Sequence, residues 1–588
     1  MEIFKRLSWF FKQERKAYIF GSTLLLLVSI LSAIVPMIVG NIIDDLTANT
    51  LTVQQLLFWV FVILAIALAQ YVMRYFWRTA IFGTSAKLEK ILRRRLFVHF
   101  TKMDAVFFQE HRTGDLMAHA TNDLTAIRMV AGGGILTLVD SLSQGIITLI
   151  IMFVVIDWRL SLVSILPLPL LVVLVRFNGS RIHHHFRRAQ EAFSSMNDKV
   201  QESIGGMKVI KTFGEEERDI DDFKKMTANV VDKNQAVHFY DAIFRPAIQM
   251  IMGLSTVIGI FYGGLLVVQG EITLGLLIAF LNYIGSMSWP MVAIGRLFNI
   301  LERGSASYNR VEELLRYKSN IVEDPDGINE AIDGDIEFNV EEFKYPNSNQ
   351  VVLSNVHFTI KQGETLGIVG KTGSGKSTIF KLLTRDYDWY TGNIEFNHHN
   401  IKDYTLNALL TNIGYVPQDN FLFSTTVREN IRFGLPEASQ EEVEAIAKVT
   451  SVHEDIIGFP NGYDTLVGER GVALSGGQKQ RISMARAMII DPSLLILDDS
   501  LSAVDAKTEE AILGSIKETR SNKTTIIAAH RISSVMHADN IIVLEDGKIV
   551  EQGNHQSLID NDGWYKQMYE KQQLALEIGE EGFEHVTI

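Results

Sequence analysis

A chain of 588 residues with a net charge of −13 and no cysteine excludes disulfides, thiolate metal sites and a cysteine nucleophile; it also argues against nucleic acid as the main partner, because phosphate backbones call for a basic surface. Mean hydropathy is positive at +0.13 although 21% of residues are charged, so the apolar residues must be concentrated. This is the composition of a membrane-embedded portion joined to a soluble one, with length for about three to five domain-sized units.

Residues 1–16 mix Phe4, Trp9, Phe10 and Phe11 with Lys5, Arg6, Lys12, Arg15 and Lys16, the pattern of an interfacial helix lying on the inner leaflet of a bilayer. No small-residue cleavage site follows a short apolar core, so no removable signal is expected. Six apolar stretches long enough to span follow, at 17–40, 54–76, 135–156, 160–177, 242–268 and 274–300. The fourth contains Pro167 and Pro169, which a packed membrane helix tolerates.

Residues 41–53 and 269–273 lack Lys and Arg, and the third-to-fourth connection is only Asp157-Trp158-Arg159. The other two connections are long and basic near the spans, with Arg78, Lys87, Lys90, Arg93, Arg94 and Arg95 in one and Arg176, Arg181, Arg187 and Arg188 in the other. The basic connections, and with them both termini, are therefore expected on the cytoplasmic side of the cell membrane. Helix formers dominate 85–100 and 186–204, so the membrane helices are expected to continue into the cytoplasm. Each extension breaks at a polar, glycine-bearing patch, 110–115 and 205–208, where a force-transmitting contact would sit.

Residues 308–317 read as a linker helix and 322–335 as a boundary rich in Asp, Glu, Pro and Gly. Beyond it, short apolar strands at 336–340, 350–360, 365–369, 494–497 and 524–528 alternate with helical stretches, which argues for a mostly parallel sheet.

Gly370-Lys371-Thr372-Gly373-Ser374-Gly375-Lys376-Ser377-Thr378 fits the phosphate-loop pattern, placed between an apolar strand and a helix start. Glycines let backbone N–H groups turn onto a phosphate, and the helix N-terminus adds its positive end. Lys376 supplies a charge for the terminal phosphates and Ser377 a hydroxyl for Mg²⁺. Downstream, the strand 493–497 ends in Asp498, placed to sit beside that Mg²⁺, and Asp499 stands where a general base would orient the attacking water. Leu474-Ser475-Gly476-Gly477-Gln478 before a helix is a second anion-binding terminus. Two phosphate grips in one chain imply a head-to-tail dimer sharing two nucleotides.

With these motifs the chain resembles, over essentially its entire length, a half-size ATP-binding cassette exporter. The resemblance implies a six-helix all-α transmembrane domain with long cytoplasmic extensions, fused to an α/β RecA-like nucleotide-binding domain. It divides the chain into an interfacial helix (1–16), a transmembrane domain (17–310), a linker (311–334), a nucleotide-binding domain (335–575) and an acidic tail (576–588). It implies that Tyr345 stacks on adenine, that Gln418 touches Mg²⁺ and faces the membrane domain, and that His530 contacts the γ-phosphate. Gly468-Glu469-Arg470-Gly471 resembles a loop contacting intracellular helices, and Ser502-Ala503-Val504-Asp505 a loop crossing the dimer. The breaks near Gly114 and Gly206 resemble two coupling helices.

Asp499 departs from the pattern, since the family usually has glutamate there. Aspartate is one methylene shorter, and a misplacement of about 1 Å can cost on the order of 10²-fold in rate. The chain thus resembles the weakened half of a heterodimer, which implies a different partner chain carrying the glutamate; a homodimeric lipid flippase and an ATP-gated channel or nucleotide sensor are the rival readings. Asp140, Gln144, Arg245, Gln249 and Asn282 are polar groups costly to expose to lipid. Phe280, Tyr283, Met287 and Trp289 are candidates to line an adaptable cavity for small amphipathic cargo. His183, His184 and His185 are consecutive on a helix and cannot converge on a metal.

Overall fold

In the computed structural model, residues 2–346, 348–468 and 473–584 are described. The chain forms two compact units, Met1–Thr101 with Arg112–Tyr317, and Lys102–His111 with Lys318–Ile588.

The first unit is helical. Among the described residues, five helices are long and apolar enough to cross a bilayer: Arg15–Thr47, Val53–Phe100, Thr113–Ile156, Glu216–Val268 and Leu274–Arg316. The expected fourth span, 160–177, is not a single such helix. Trp158–Ile165 stops before Pro167, and a new helix, Pro169–Gly205, starts with Pro169 in its first turn, where the missing N–H leaves no bond unmade. The fourth of the six expected spans is thus an apolar helix interrupted at its prolines, beside the five long helices found among the described residues. Val53–Phe100 and Glu216–Val268 run for 48 and 53 residues, far more than the roughly 20 that cross a hydrocarbon core.

The third span winds as a π-helix over Val130–Gly134, and the Tyr18 hydroxyl donates to the Ala131 carbonyl at 3.0 Å. A Cβ on Gly132 would lie 2.9 Å from Ser85 Oγ, so the glycine there allows close helix approach. The N-terminal helical segment buries Ile3, Leu7 and Phe10. Arg6 bonds Asn309 and Glu312, and the Arg95 guanidinium lies over the Trp9 ring. The apolar face expected to meet lipid therefore packs largely on protein.

The second unit holds two sheets. Strands β1 (Ile336–Lys344), β2 (Val351–Ile360), β4 (Thr391–Phe396) and β5 (His399–Asn400) form an antiparallel sheet ordered β2-β1-β4-β5. Strands β3 (Thr365–Gly370), β6 (Ile413–Val416), β7 (Leu494–Asp498), β8 (Thr524–Ala528), β9 (Asn540–Glu545) and β10 (Lys548–Gly553) form the other, ordered β10-β9-β3-β8-β7-β6. All its pairings are parallel except β10 with β9. Strands β7 and β8 are buried throughout, β7 an apolar run up to Asp498 and β8 apolar after Thr524 and Thr525, as suits a parallel sheet covered on both faces.

Residues Lys102–His111, in the connection after the second long helix, belong to this second unit. The Asp104 side chain caps the Ala105–Glu110 helix by accepting from Phe107 N–H, and its other oxygen accepts from Asn320 N–H at 2.6 Å. Val106 enters the core around β1 and β2. The chain turns at His111 and Arg112, then resumes helix at Thr113–Ala118. The break expected within 110–115 thus falls at His111 and Arg112, and a short helix, Ala105–Glu110, precedes it because Asp104 is its cap. The second break falls at Gly206, followed by the helix Met207–Phe213.

Candidate nucleotide site

The phosphate loop joins β3 to the helix Lys376–Leu383. Gly370, Gly373 and Gly375 all have positive φ, 153°, 81° and 105°, in a region costly for residues with a Cβ. A Cβ at Gly375 would also lie 2.7 Å from Leu353 Cδ2. The Lys376 ammonium donates to the carbonyls of Gly370 and Lys371 at 2.9 and 3.0 Å. It is largely buried, and the desolvation lowers its pKa while Asp498 and Asp499 oppose the shift. Ser374 Oγ is buried without a hydrogen-bond partner, a group that an anion in the loop would satisfy.

Asp498 ends β7 and is 3% exposed. Burial pushes its carboxyl above the usual range, against hydrogen bonds from Ser377 and Tyr415. A buried carboxylate beside the phosphate-loop serine is a donor set suited to a hard divalent cation. Asp499 follows with φ 46°, its N–H bonded to the Ala528 carbonyl at 2.9 Å. Tyr345 OH and Thr378 Oγ1 are 2.8 Å apart, and the Lys381 ammonium is 5.5 Å from the Tyr345 ring centroid. One neighbourhood thus collects Tyr345, residues 370–378, Asp498 and Asp499.

Ser475 caps the helix Gly476–Met488 in a reciprocal box with Gln478, and Ser475 and Gly476 are exposed. Among the described residues no hydrogen bond or ion pair joins 475–478 to the phosphate loop. The signature is instead tied to the loop after β7, because Gln480 donates to Ser502 Oγ at 3.2 Å and accepts from Ala503 N–H at 3.1 Å. Asp505 caps the next helix through Thr508 N–H. Gln418 is exposed on the segment after β6, and His530 lies two residues past β8, its imidazole exposed. Glu469, Arg470 and Gly471 lie outside the described residues. Tyr415, Gln480 and Gln109 escape sequence reasoning: each acts across the fold on a distant residue, and no local motif marks it.

In the helical unit, the Trp289 indole N–H donates to Asp140 at 2.8 Å, and Asn282 donates to its own helix at Ile278. Gln144 is half-buried and Gln249 exposed, while the Arg245 side chain lies outside the described residues. Phe280, Tyr283 and Met287 are buried in the helix core, and Trp289 is exposed. His185 stacks on Tyr240, and among the described residues no cluster of metal-ligating side chains occurs.

Residues 18–291 match the ABC transporter transmembrane region family, and 353–502 the ABC transporter family. The chain is 45% identical to a probable multidrug resistance ABC transporter ATP-binding/permease protein, YheI, of Bacillus subtilis, over 97% of this chain and 98% of the relative. It is 42% identical to the multidrug resistance-like ATP-binding protein MdlA of Escherichia coli, over 98% and 97%. The structure of a bacterial Atm1-family ABC exporter with ATP bound matches with a TM-score of 0.76 and 25% identity, over 95% of this chain and 98% of that one. The chain belongs to the ABC transporter family. It is a multi-pass membrane half-transporter of the exporter type, an ATP-binding ATPase whose hydrolysis drives transport.

Proposed function

We propose that this chain exports small amphipathic compounds, drugs or lipids, from the cytoplasm by alternating access, as one half of a heterodimer. The nucleotide-binding unit and both termini are cytoplasmic. ATP lies against residues 370–378 with its adenine on Tyr345, and its other side is closed by the neighbouring subunit's signature, as Ser475 to Gln478 of this chain close over the neighbour's nucleotide. Ser377, Asp498 and Gln418 would hold Mg²⁺, which neutralises phosphate charge when bound. Asp499 orients the water that attacks the γ-phosphorus as the bond to ADP breaks, and His530 contacts the γ-phosphate. Asp505 lies in the loop that crosses to the second subunit.

The observation that carries the dimer is the exposed signature, complete in sequence and, among the described residues, without a hydrogen bond or ion pair to the chain's own phosphate loop. Two apolar surfaces agree with it. Within the helical unit, the tip around Met207–Phe213 leaves Ile204, Val209 and Phe213 exposed. Within the nucleotide-binding unit, a groove of about 800 Å³ is lined by Leu410, Phe421 and Phe433. Uncovered apolar surface of this kind marks interaction sites, and a second chain would supply the complement of each. Asp499 in place of glutamate supports a weak ATPase site on this chain and a partner with the stronger one.

ATP-dependent uptake of amphipathic dyes into inverted vesicles tests the reading. Uptake by the assembled transporter, with slow turnover by this chain purified alone, is expected. Conductance across a planar bilayer without uptake would instead support a channel.

A further inference from the structure

His530 is exposed and reaches no fixed partner with its ring among the described contacts, so its position depends on its backbone. That backbone is held from two sides. The neighbouring Arg531 donates to the Val504 carbonyl and to Glu509, both at 3.2 Å, and Glu509 also accepts from Ser534. On the other side stands Gln572, in the C-terminal helix Trp564–Glu584. Its side-chain amide donates to the His530 carbonyl at 2.9 Å and accepts from the Ile532 N–H at 2.8 Å.

Both functions of one amide are thus spent on the backbone either side of Arg531. The helix that carries Gln572 is itself fixed: Tyr565 is fully buried, its hydroxyl lies 2.7 Å from His555 Nδ1, and Trp564 N–H donates to Glu551. A side chain with a two-point grip restricts the carbonyl and N–H it holds far more than a single bond would, and the imidazole follows the backbone.

We propose that Gln572 is a positioning residue that sets where His530 meets the terminal phosphate, making the C-terminal helix part of the nucleotide site. This rests on the reading of His530 as the γ-phosphate contact. It acts through the backbone and touches no nucleotide itself.

The test uses the full-length transporter as purified with its partner, in lipid vesicles, with photo-reactive azido-ATP as the probe. The readout is how long nucleotide stays on this chain, resolved from its partner by gel. Gln572→Ala should shorten that residence about fivefold, the scale of one lost hydrogen bond. Gln572→Glu, which keeps the acceptor for Ile532 but loses the donor to His530, should shorten it too. His530→Ala should shorten it at least as much, and adding Gln572→Ala to His530→Ala should change nothing further. Unchanged residence in both Gln572 variants, with His530→Ala shortened, overturns the inference alone, as does additivity in the double variant. Unchanged residence in His530→Ala overturns the reading beneath it. If Gln572→Ala lowers the melting temperature, Gln572→Glu decides.

Discussion

Gln109 donates its side-chain amide to the Tyr387 hydroxyl at 2.7 Å, and the Tyr387 ring stands edge-on to Tyr345 with centroids 5.3 Å apart. Gln109 lies in the connection between two membrane helices, so this bond ties that connection to the aromatic proposed to hold adenine. Tyr387→Phe keeps the ring and loses the bond, worth about 1 kcal/mol net. Nucleotide affinity is expected to be unchanged while ATP-driven dye uptake falls; parallel azido-ATP labelling and uptake assays check it.

Asp499 occupies φ 46°, a region in which aspartate is far commoner than glutamate. Asp499→Glu is therefore expected to destabilise the nucleotide-binding unit slightly. It should still speed single-turnover hydrolysis on this chain, by up to about 10²-fold. Quench-flow of the assembled transporter measures the rate, and calorimetry the stability.

Burial raises the Asp498 carboxyl above its ordinary pKa. Between the unfolded and folded values the native state binds the extra proton, so this group's contribution favours folding more as pH falls. Without nucleotide, Asp498→Asn should raise the melting temperature at pH 7, and its advantage over the unchanged protein should shrink as pH is lowered. Thermal melts across that range check the slope.

Arg385 is 1% exposed and bonds Asp388, at 2.8 and 3.1 Å, and the Tyr404 and Val322 carbonyls, at 3.1 and 3.3 Å. Arg385→Ala leaves Asp388 and these carbonyls short of a donor, a loss of about 3–5 kcal/mol for a broken buried pair. Denaturant unfolding, or failure to accumulate in the membrane, would show it.

What can be read in the sequence is what local spacing encodes. The glycines of 370–375, the strand ending at Asp498 and the Ser475 cap each declare their structure within a few residues. The fourth span misleads because hydropathy averages over Pro167 and Pro169, whereas the helix stops there. The short helix Ala105–Glu110 goes unread because its cap, Asp104, is an aspartate like many others until Asn320 folds onto it. The burial of Phe280, Tyr283 and Met287 is not legible either, since composition does not say which face of a helix is covered. Gln572 and Gln109 carry no signal at all, because their partners lie far away in the chain.

The absence of native cysteine makes the most direct test clean. In the purified complex, the Ser475→Cys variant is treated with an ATP analogue bearing a thiol-reactive γ-phosphate, with and without Lys376→Ala in the same chain. Crosslinking to the introduced thiol is predicted to require the second subunit and to survive loss of this chain's own Lys376. Crosslinking of the isolated chain, or its disappearance with Lys376→Ala, would contradict a nucleotide held by one subunit and closed over by the signature of a different one.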